Sequence, residues 1–145
     1  ELQYYPNDQI GVGEEVSNTF IKVGSSTYDY GSRIVSGFSN YGKNTVDIFA
    51  PGSSIYSTYP ENTYSFAQGT SMASPLVAGV AALVWSQYPK LKAAQLKEVL
   101  MASGLPINKD VGMSDDSVVP FKNLSKSGKL VNAYNALIMA SKVSK

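Results

Sequence analysis

The chain has 145 residues, of which 43% are hydrophobic and 16% are charged, and this composition predicts a single globular domain. Its formal net charge of +1 gives no electrostatic reason to expect nucleic acid or a membrane surface as a partner. No apolar run approaches the roughly 20 residues that a membrane-spanning helix needs. The sequence has no cysteine and no histidine, which excludes disulfides, thiolate metal sites and any catalytic imidazole supplied by this chain.

Polar and aromatic residues with a turn signal at residues 4–8 predict a loop over the first 18 residues. Beyond that loop, short runs rich in β-branched and aromatic residues predict strands, each bounded by turn residues. We expect these strands at residues 19–24, 46–52, 55–59 and 63–67. In this interpretation the last two strands form a β-hairpin that leads directly into Gly69 and Ser71.

The second half of the chain is predicted to be mainly helical. From Ser71 to Trp85 no residue is charged and apolar residues occupy every side of the implied helix, which predicts that this helix is buried all round. The elements expected after it are a helix over residues 92–103, a long surface loop over 105–128, a short strand near 130 and a helix over 133–142 capped by Asn132. The alternation of strands and helices predicts an α/β fold, a three-layer sandwich with a mostly parallel sheet.

Ser71 lies where the first of these helices is predicted to begin. Gly69 allows a tight turn there, and the backbone N–H groups of a first helical turn have no partner within the helix. Those N–H groups and the helix dipole favour negative charge, so an oxyanion can be stabilised next to the Ser71 hydroxyl. A serine at the start of a helix also serves as a cap, so these residues leave a catalytic and a capping interpretation open.

Two other arrangements of a nucleophilic serine do not fit this sequence. An α/β-hydrolase elbow has the pattern Gly-x-Ser-x-Gly, whereas Ala73 occupies the fifth position here and no histidine follows. A Ser-x-x-Lys arrangement is excluded because no serine in the chain has a lysine three residues later.

The stretch around Ser71 resembles the serine-motif region of the subtilisin-like serine proteases (subtilases), although Leu76 stands where members usually have histidine. Several segments match family patterns: residues 38–42, 46–52, 69–75, 77–79 and 81–83. The resemblance implies a partial subtilisin-like fold. Residues 1–145 would then be the C-terminal portion of a catalytic domain, a single but incomplete domain.

The resemblance also implies roles for the residues of this turn. Ser71 is expected to be the nucleophile that forms an acyl-enzyme, with its own N–H as one oxyanion donor. Thr70 and Gly69 are expected to shape the turn, Gln68 to lie on the leaving-group side of the substrate, and Met72 to flank the serine. In this family the aspartate and the histidine precede the serine, as does an oxyanion asparagine, so all three are expected upstream of this chain.

These expectations define a hypothesis about the parent protein, a secreted or cell-envelope bacterial serine endopeptidase that acts on polypeptides. Because the chain starts at Glu1 without an initiator methionine, we expect a processed product or part of a longer protein. Because it has no histidine, we expect it to be inactive by itself. We also expect it to pair with the missing N-terminal half or with a second copy. The alternative is a non-catalytic structural or binding fragment, or a pseudo-peptidase, that pairs with another chain.

Asp47 is the one acidic residue inside a family-like motif. It is expected to hold the turn before Pro51 and Gly52 rather than to take part in catalysis. No cofactor is expected to be required. The resemblance allows a structural Ca²⁺ ion near Tyr5 and Asp47, but no cluster in the sequence has the spacing of a calcium-binding loop.

Overall fold

The computed structural model describes residues 9–10 and 14–144, which form a mostly parallel sheet packed against three α-helices. The elements in chain order are β1 (Gln9–Ile10), β2 (Glu14–Glu15), β3 (Val23–Ser26), β4 (Ile48–Pro51), β5 (Ile55–Tyr59), β6 (Thr63–Ala67), α1 (Thr70–Gln87), α2 (Ala93–Ser103), β7 (Leu105–Pro106), β8 (Asp110–Gly112), β9 (Val118–Pro120), β10 (Lys129–Leu130) and α3 (Ala133–Val143). A 3₁₀-helix, Phe121–Asn123, lies between β9 and β10.

The central sheet has four strands in the order β3-β4-β10-β7. β4 pairs in parallel with both β3 and β10, whereas β7 pairs antiparallel with β10. The other strands form two-stranded antiparallel pairs: β1 with β2, β5 with β6, and β8 with β9. The prediction of an α/β fold with a mostly parallel sheet is confirmed.

Alternate residues of β4 face opposite sides of the sheet and belong to two separate cores. Ile48 and Ala50 are fully buried in a cluster with apolar residues of α1, α2 and α3. Phe49 belongs to the second cluster, together with Val111 of β8, and its ring centroid lies 5.2 Å from that of Phe121. Among the described residues, the sheet therefore lies between a layer of helices and a layer of loops, the β8–β9 hairpin and the 3₁₀-helix.

The expectation that α1 is buried all round is wrong. Its buried side, marked by Ala73, Val77 and Val84, packs against the sheet and the other helices. Leu83 and Trp85 are 44% and 45% exposed. A helix that is apolar on every side carries no signal to distinguish its inner side from its outer side. No helix in the described part of the chain has the length and apolarity needed to cross a membrane.

Three predicted elements lie within one residue of their observed positions: the β5–β6 hairpin, α2 and α3. The start of α3 has its predicted cap, because the Asn132 side chain accepts a hydrogen bond of 2.9 Å from the Asn135 N–H. Turn and capping residues flank these elements in the sequence, which explains why their bounds could be predicted.

Three expectations about loops and strands are corrected. Residues 105–128 are not a plain surface loop, because β7, β8, β9 and the 3₁₀-helix lie there and Phe121 is fully buried. The strand predicted over residues 19–24 begins only at Val23. β1 and β2 interrupt the loop predicted for the first 18 residues. Strands of two to four residues are too short to show an alternating pattern.

Gly24 of β3 allows the Phe49 ring to pack against the backbone. A Cβ atom on Gly24 would lie 2.5 Å from Phe49 Cε1, and that ring is fully buried. We therefore expect Gly24→Ala to lower the free energy of unfolding by about 1–3 kcal/mol, because the ring has to shift within a packed core. Gly37→Ala is the control, since nothing lies within 4 Å of a Cβ atom there. Urea denaturation compares the two variants, and equal stabilities would contradict this packing.

Candidate active site

The turn before α1 is built on Gly69, whose φ of +148° strains any residue with a side chain. Gly69 is the N-cap of the helix, and its carbonyl accepts a hydrogen bond of 3.0 Å from the Met72 N–H. Its own N–H donates to the carbonyl of Gly52, 2.8 Å away and immediately after β4. The start of α1 is thereby fixed to the carboxyl end of an inner strand of the sheet.

Ser71 stands in the first turn of α1 with its side chain exposed, and Gln68 is exposed beside it. Thr70 and Met72 are half-buried. The N-cap position belongs to Gly69, and within the described part of the chain no side chain caps the helix by a hydrogen bond. Ser71 therefore does not cap α1, and the five residues of the predicted turn are together at the helix start.

The position of Ser71 favours negative charge. α1 is 18 residues long, so the N–H groups and the positive end of the helix dipole meet at its first turn. The chain around it is almost uncharged, because between residues 48 and 89 the one charged residue is Glu61, at the tip of the β5–β6 hairpin. An anion next to Ser71 would meet backbone dipoles rather than a competing carboxylate on the neighbouring segments.

Asp47 lies at the other end of β4 and is fully buried. Its Oδ2 accepts a hydrogen bond of 2.8 Å from the Lys22 N–H and lies 3.4 Å from Lys97 Nζ. The four residues of β4 separate Asp47 from the Gly69 turn by about 13 Å. The structure does not bring Asp47 to Ser71, and its contacts are those of a residue that fixes the start of the strand.

Glu15 forms ion pairs with three lysines, one of which, Lys97, also pairs with Asp47. Its carboxylate oxygens lie 3.0 Å from Lys22 Nζ, 2.7 Å from Lys126 Nζ and 3.9 Å from Lys97 Nζ. Burial by itself raises the pKa of Glu15. Hydrogen bonds from Lys126 and Lys22 and the charge of Lys97 outweigh burial and lower this pKa from 4.5 to about 2.

The sequence motifs did not reveal Lys97 as the partner of Asp47, or Glu15 as a second partner of Lys97. Lys97 is only 8% exposed, and it lies on α2 between the buried apolar residues Leu96 and Val99. A lysine among apolar helix positions was the available signal, but its partners lie far away in the chain. Tyr5, the other candidate for a cation site, lies outside the described residues.

The fold and the turn that carries Ser71 place this chain in a class of protein, those with a subtilisin-like α/β fold. The chain has part of that fold. In three dimensions the chain is similar to a chain of the subtilase cytotoxin SubAB, with a TM-score of 0.66 and 29% sequence identity, covering 86% of this chain and 37% of that one. The family model described as "Subtilase family" matches residues 6–130. The chain belongs to the subtilase family.

Curated relatives match the chain over shorter stretches. Subtilisin DY of Bacillus licheniformis is 53% identical over 66 residues, which are 46% of this chain and 24% of that protein. Thermitase of Thermoactinomyces vulgaris is 64% identical over 52 residues, which are 36% of this chain and 18% of that protein. The matches therefore span less than two-fifths of the length of each of these relatives.

The ion pairs of Glu15 make a specific prediction about acid stability. Because its pKa in the folded chain lies below the ordinary value, the pairs stabilise the fold above pH about 4.5 and lose their effect as the pH falls towards about 2. We expect Glu15→Gln to lower stability at neutral pH and to flatten its fall over this range. Urea denaturation at several pH values measures this, with Glu98→Gln, an exposed carboxylate of α2, as control. Parallel pH profiles for wild type and Glu15→Gln would contradict the assignment.

Proposed function

We propose that Ser71 is the catalytic nucleophile of a serine endopeptidase, and that this chain is the nucleophile-bearing portion of its catalytic domain. The observation that carries the proposal is the exposed Ser71 at the start of α1, on a turn that Gly69 ties to the sheet. Membership of the subtilase family supports the same role. By the same family argument, its place of action is the cell envelope or the exterior of a bacterium.

In the proposed reaction, Ser71 Oγ attacks the carbonyl carbon of a peptide bond and gives its proton to a base. The negative charge that forms on the carbonyl oxygen is stabilised by the Ser71 N–H and the dipole of α1. The C–N bond then breaks, the amine leaves with the proton returned by the base, and water hydrolyses the ester on Ser71. Gln68 lies on the leaving-group side in this proposal, Met72 flanks the nucleophile, and Thr70 shapes the turn.

The base for this reaction has to come from outside the 145 residues, because the chain contains no histidine. Asp47 does not replace it, since it lies at the other end of β4 and is engaged by Lys97. Without a base the hydroxyl keeps the high pKa of an alcohol and is a poor nucleophile near neutral pH. We therefore infer that the 145-residue chain is inactive by itself.

The surroundings of Asp47 do not suit a Ca²⁺ ion. Ca²⁺ takes six to eight oxygen ligands, whereas Asp47 Oδ2 lies 3.4 Å from a lysine ammonium group. Asp47 Oδ1 is buried and accepts no hydrogen bond from the described residues, but no group of three or more acidic or histidine side chains there could hold a metal ion. The described residues do not fit a calcium site.

A second candidate function is non-catalytic, and the open side of α1 favours it. Leu76 and Leu83, seven residues apart and therefore on the same side of this helix, are 40% and 44% exposed. Apolar surface of this kind on a helix is typical of an interface. We propose that a further part of a subtilase domain covers it, or a second copy of the chain when that part is absent. A pseudo-peptidase would show this association without chemistry at Ser71.

A fluorophosphonate probe that reacts with activated serines tests the proposed chemistry. We expect Ser71 to be labelled in the full-length protein that carries these residues, and at least about 100-fold more slowly in the 145-residue chain, because general-base catalysis contributes about 10²–10⁴-fold. Peptide mapping by mass spectrometry locates the adduct. Ser71→Ala should abolish labelling and Ser74→Ala, on the exposed side of the same helix, should not.

Each result of this experiment decides between hypotheses. Labelling of the full-length protein at Ser71 supports the endopeptidase. Its absence there, with the protein folded, supports the pseudo-peptidase. Fast labelling of the 145-residue chain would show that a base lies within it, against the argument above.

The open side of α1 predicts self-association of the 15.5 kDa chain. We expect sedimentation equilibrium to give a dimer or larger species, and Leu83→Glu to shift the chain towards monomer by placing a charge in the apolar interface. Val118→Glu is the matched control, because Val118 is 69% exposed on β9, away from α1. A monodisperse wild-type monomer, or equal effects of the two variants, would contradict the proposed interface.

A further inference from the structure

Three serine hydroxyls form a buried chain of hydrogen bonds next to the carboxyl end of β4. Ser25 Oγ lies 2.8 Å from Ser36 Oγ, which lies 2.8 Å from Ser53 Oγ. Ser25 and Ser36 are 0% and 2% exposed, and Ser53 is half-buried. We call Ser25, Ser36 and Ser53 the serine chain. Buried hydroxyls of this kind hold their neighbours in place, because leaving one unpaired costs free energy.

A fourth hydroxyl fixes the inner end of the serine chain. Ser39 Oγ accepts a hydrogen bond of 2.8 Å from the Ser25 N–H and donates one of 2.9 Å to the Asn40 carbonyl. The Ser36 N–H also donates to the Ser25 carbonyl at 3.0 Å. Both backbone groups of Ser25 are therefore held by the loop that follows β3.

Gly52 lies between the serine chain and the turn of Ser71. A Cβ atom on Gly52 would lie 2.4 Å from Ser25 Oγ and 2.7 Å from the Gly69 carbonyl oxygen. That carbonyl is the first acceptor of α1, and the Gly52 carbonyl in turn accepts the Gly69 N–H. Ser25 and Gly69 thus pack on one glycine from two directions, with no room for a side chain between them.

We infer that the serine chain positions the catalytic turn: Ser25, Ser36 and Ser53 hold Gly52, and Gly52 holds Gly69 at the start of α1. These serines are positioning residues, since they act on Ser71 through two glycines and touch no reacting atom. The inference rests on the proposed role of Ser71 for its catalytic consequence. Its structural part does not, because the position of Gly69 can be measured without any activity.

Ser36→Ala is the direct test, because Ser36 is the middle hydroxyl and its removal breaks both bonds of the serine chain. Amide hydrogen exchange in the 145-residue chain should become about five- to tenfold faster at Gly69, the factor to which the loss of one hydrogen bond corresponds. Exchange at Val84, in the core of the same helix, should stay unchanged. Ser103→Ala is the matched control, since Ser103 is buried and its hydroxyl donates to the Leu100 carbonyl of its own helix.

In the full-length protein, Ser36→Ala should slow phosphonylation of Ser71 by a similar factor and lower kcat more than it raises KM for a peptide substrate.

Selective loss of protection at Gly69 supports the inference. Equal acceleration at Gly69 and Val84, or none at either in a folded variant, overturns it. If Ser36→Ala does not fold, Ser53→Ala decides in the same way, because it removes only the half-buried end of the serine chain. Failure of the wild type to react would count against the role of Ser71 and leave the exchange result intact.

Discussion

The hydrogen bond from the Gly69 N–H to the Gly52 carbonyl joins the sheet to the start of α1, and the geometry of the candidate site depends on it. Gly52 follows β4 and Gly69 follows the β5–β6 hairpin, so one hydrogen bond of 2.8 Å closes the segment of chain that contains this hairpin. Neither position tolerates a side chain: Gly69 because of its positive φ, Gly52 because of its close neighbours. Two glycines far apart in sequence thus fix where Ser71 stands.

β4 also separates two electrostatic environments. Asp47 immediately precedes the amino end of β4 and pairs with Lys97 inside the protein. The carboxyl end of β4 leads to a segment with a single charged residue up to residue 89. A buried carboxylate needs such partners, because its desolvation is otherwise costly. The segment that carries Ser71, by contrast, contributes mainly backbone dipoles. This arrangement keeps the charges that hold the fold away from the site proposed to stabilise a transient oxyanion.

The sequence allowed good prediction wherever a signal was local. The β5–β6 hairpin, the cap at Asn132 and the glycine turn before Ser71 all have characteristic residues within a few positions. What it could not reveal depends on contacts between distant segments. The pairing of Asp47 with Lys97, the serine chain and the second core around Phe121 follow from the folded sheet, and no periodic pattern marks them.

A single partner could both cover the exposed side of α1 and supply the base that Ser71 needs. α1 carries Ser71 at its first turn and open apolar surface at Leu76 and Leu83 further along the same rigid element. Any partner that covers this surface is thereby held at a defined distance from the Ser71 hydroxyl. If that partner supplies the base, burial of apolar area and alignment of the proton acceptor arise from the same docking event. A second copy of this chain would cover the surface equally but bring no histidine, so association alone would leave Ser71 without a base.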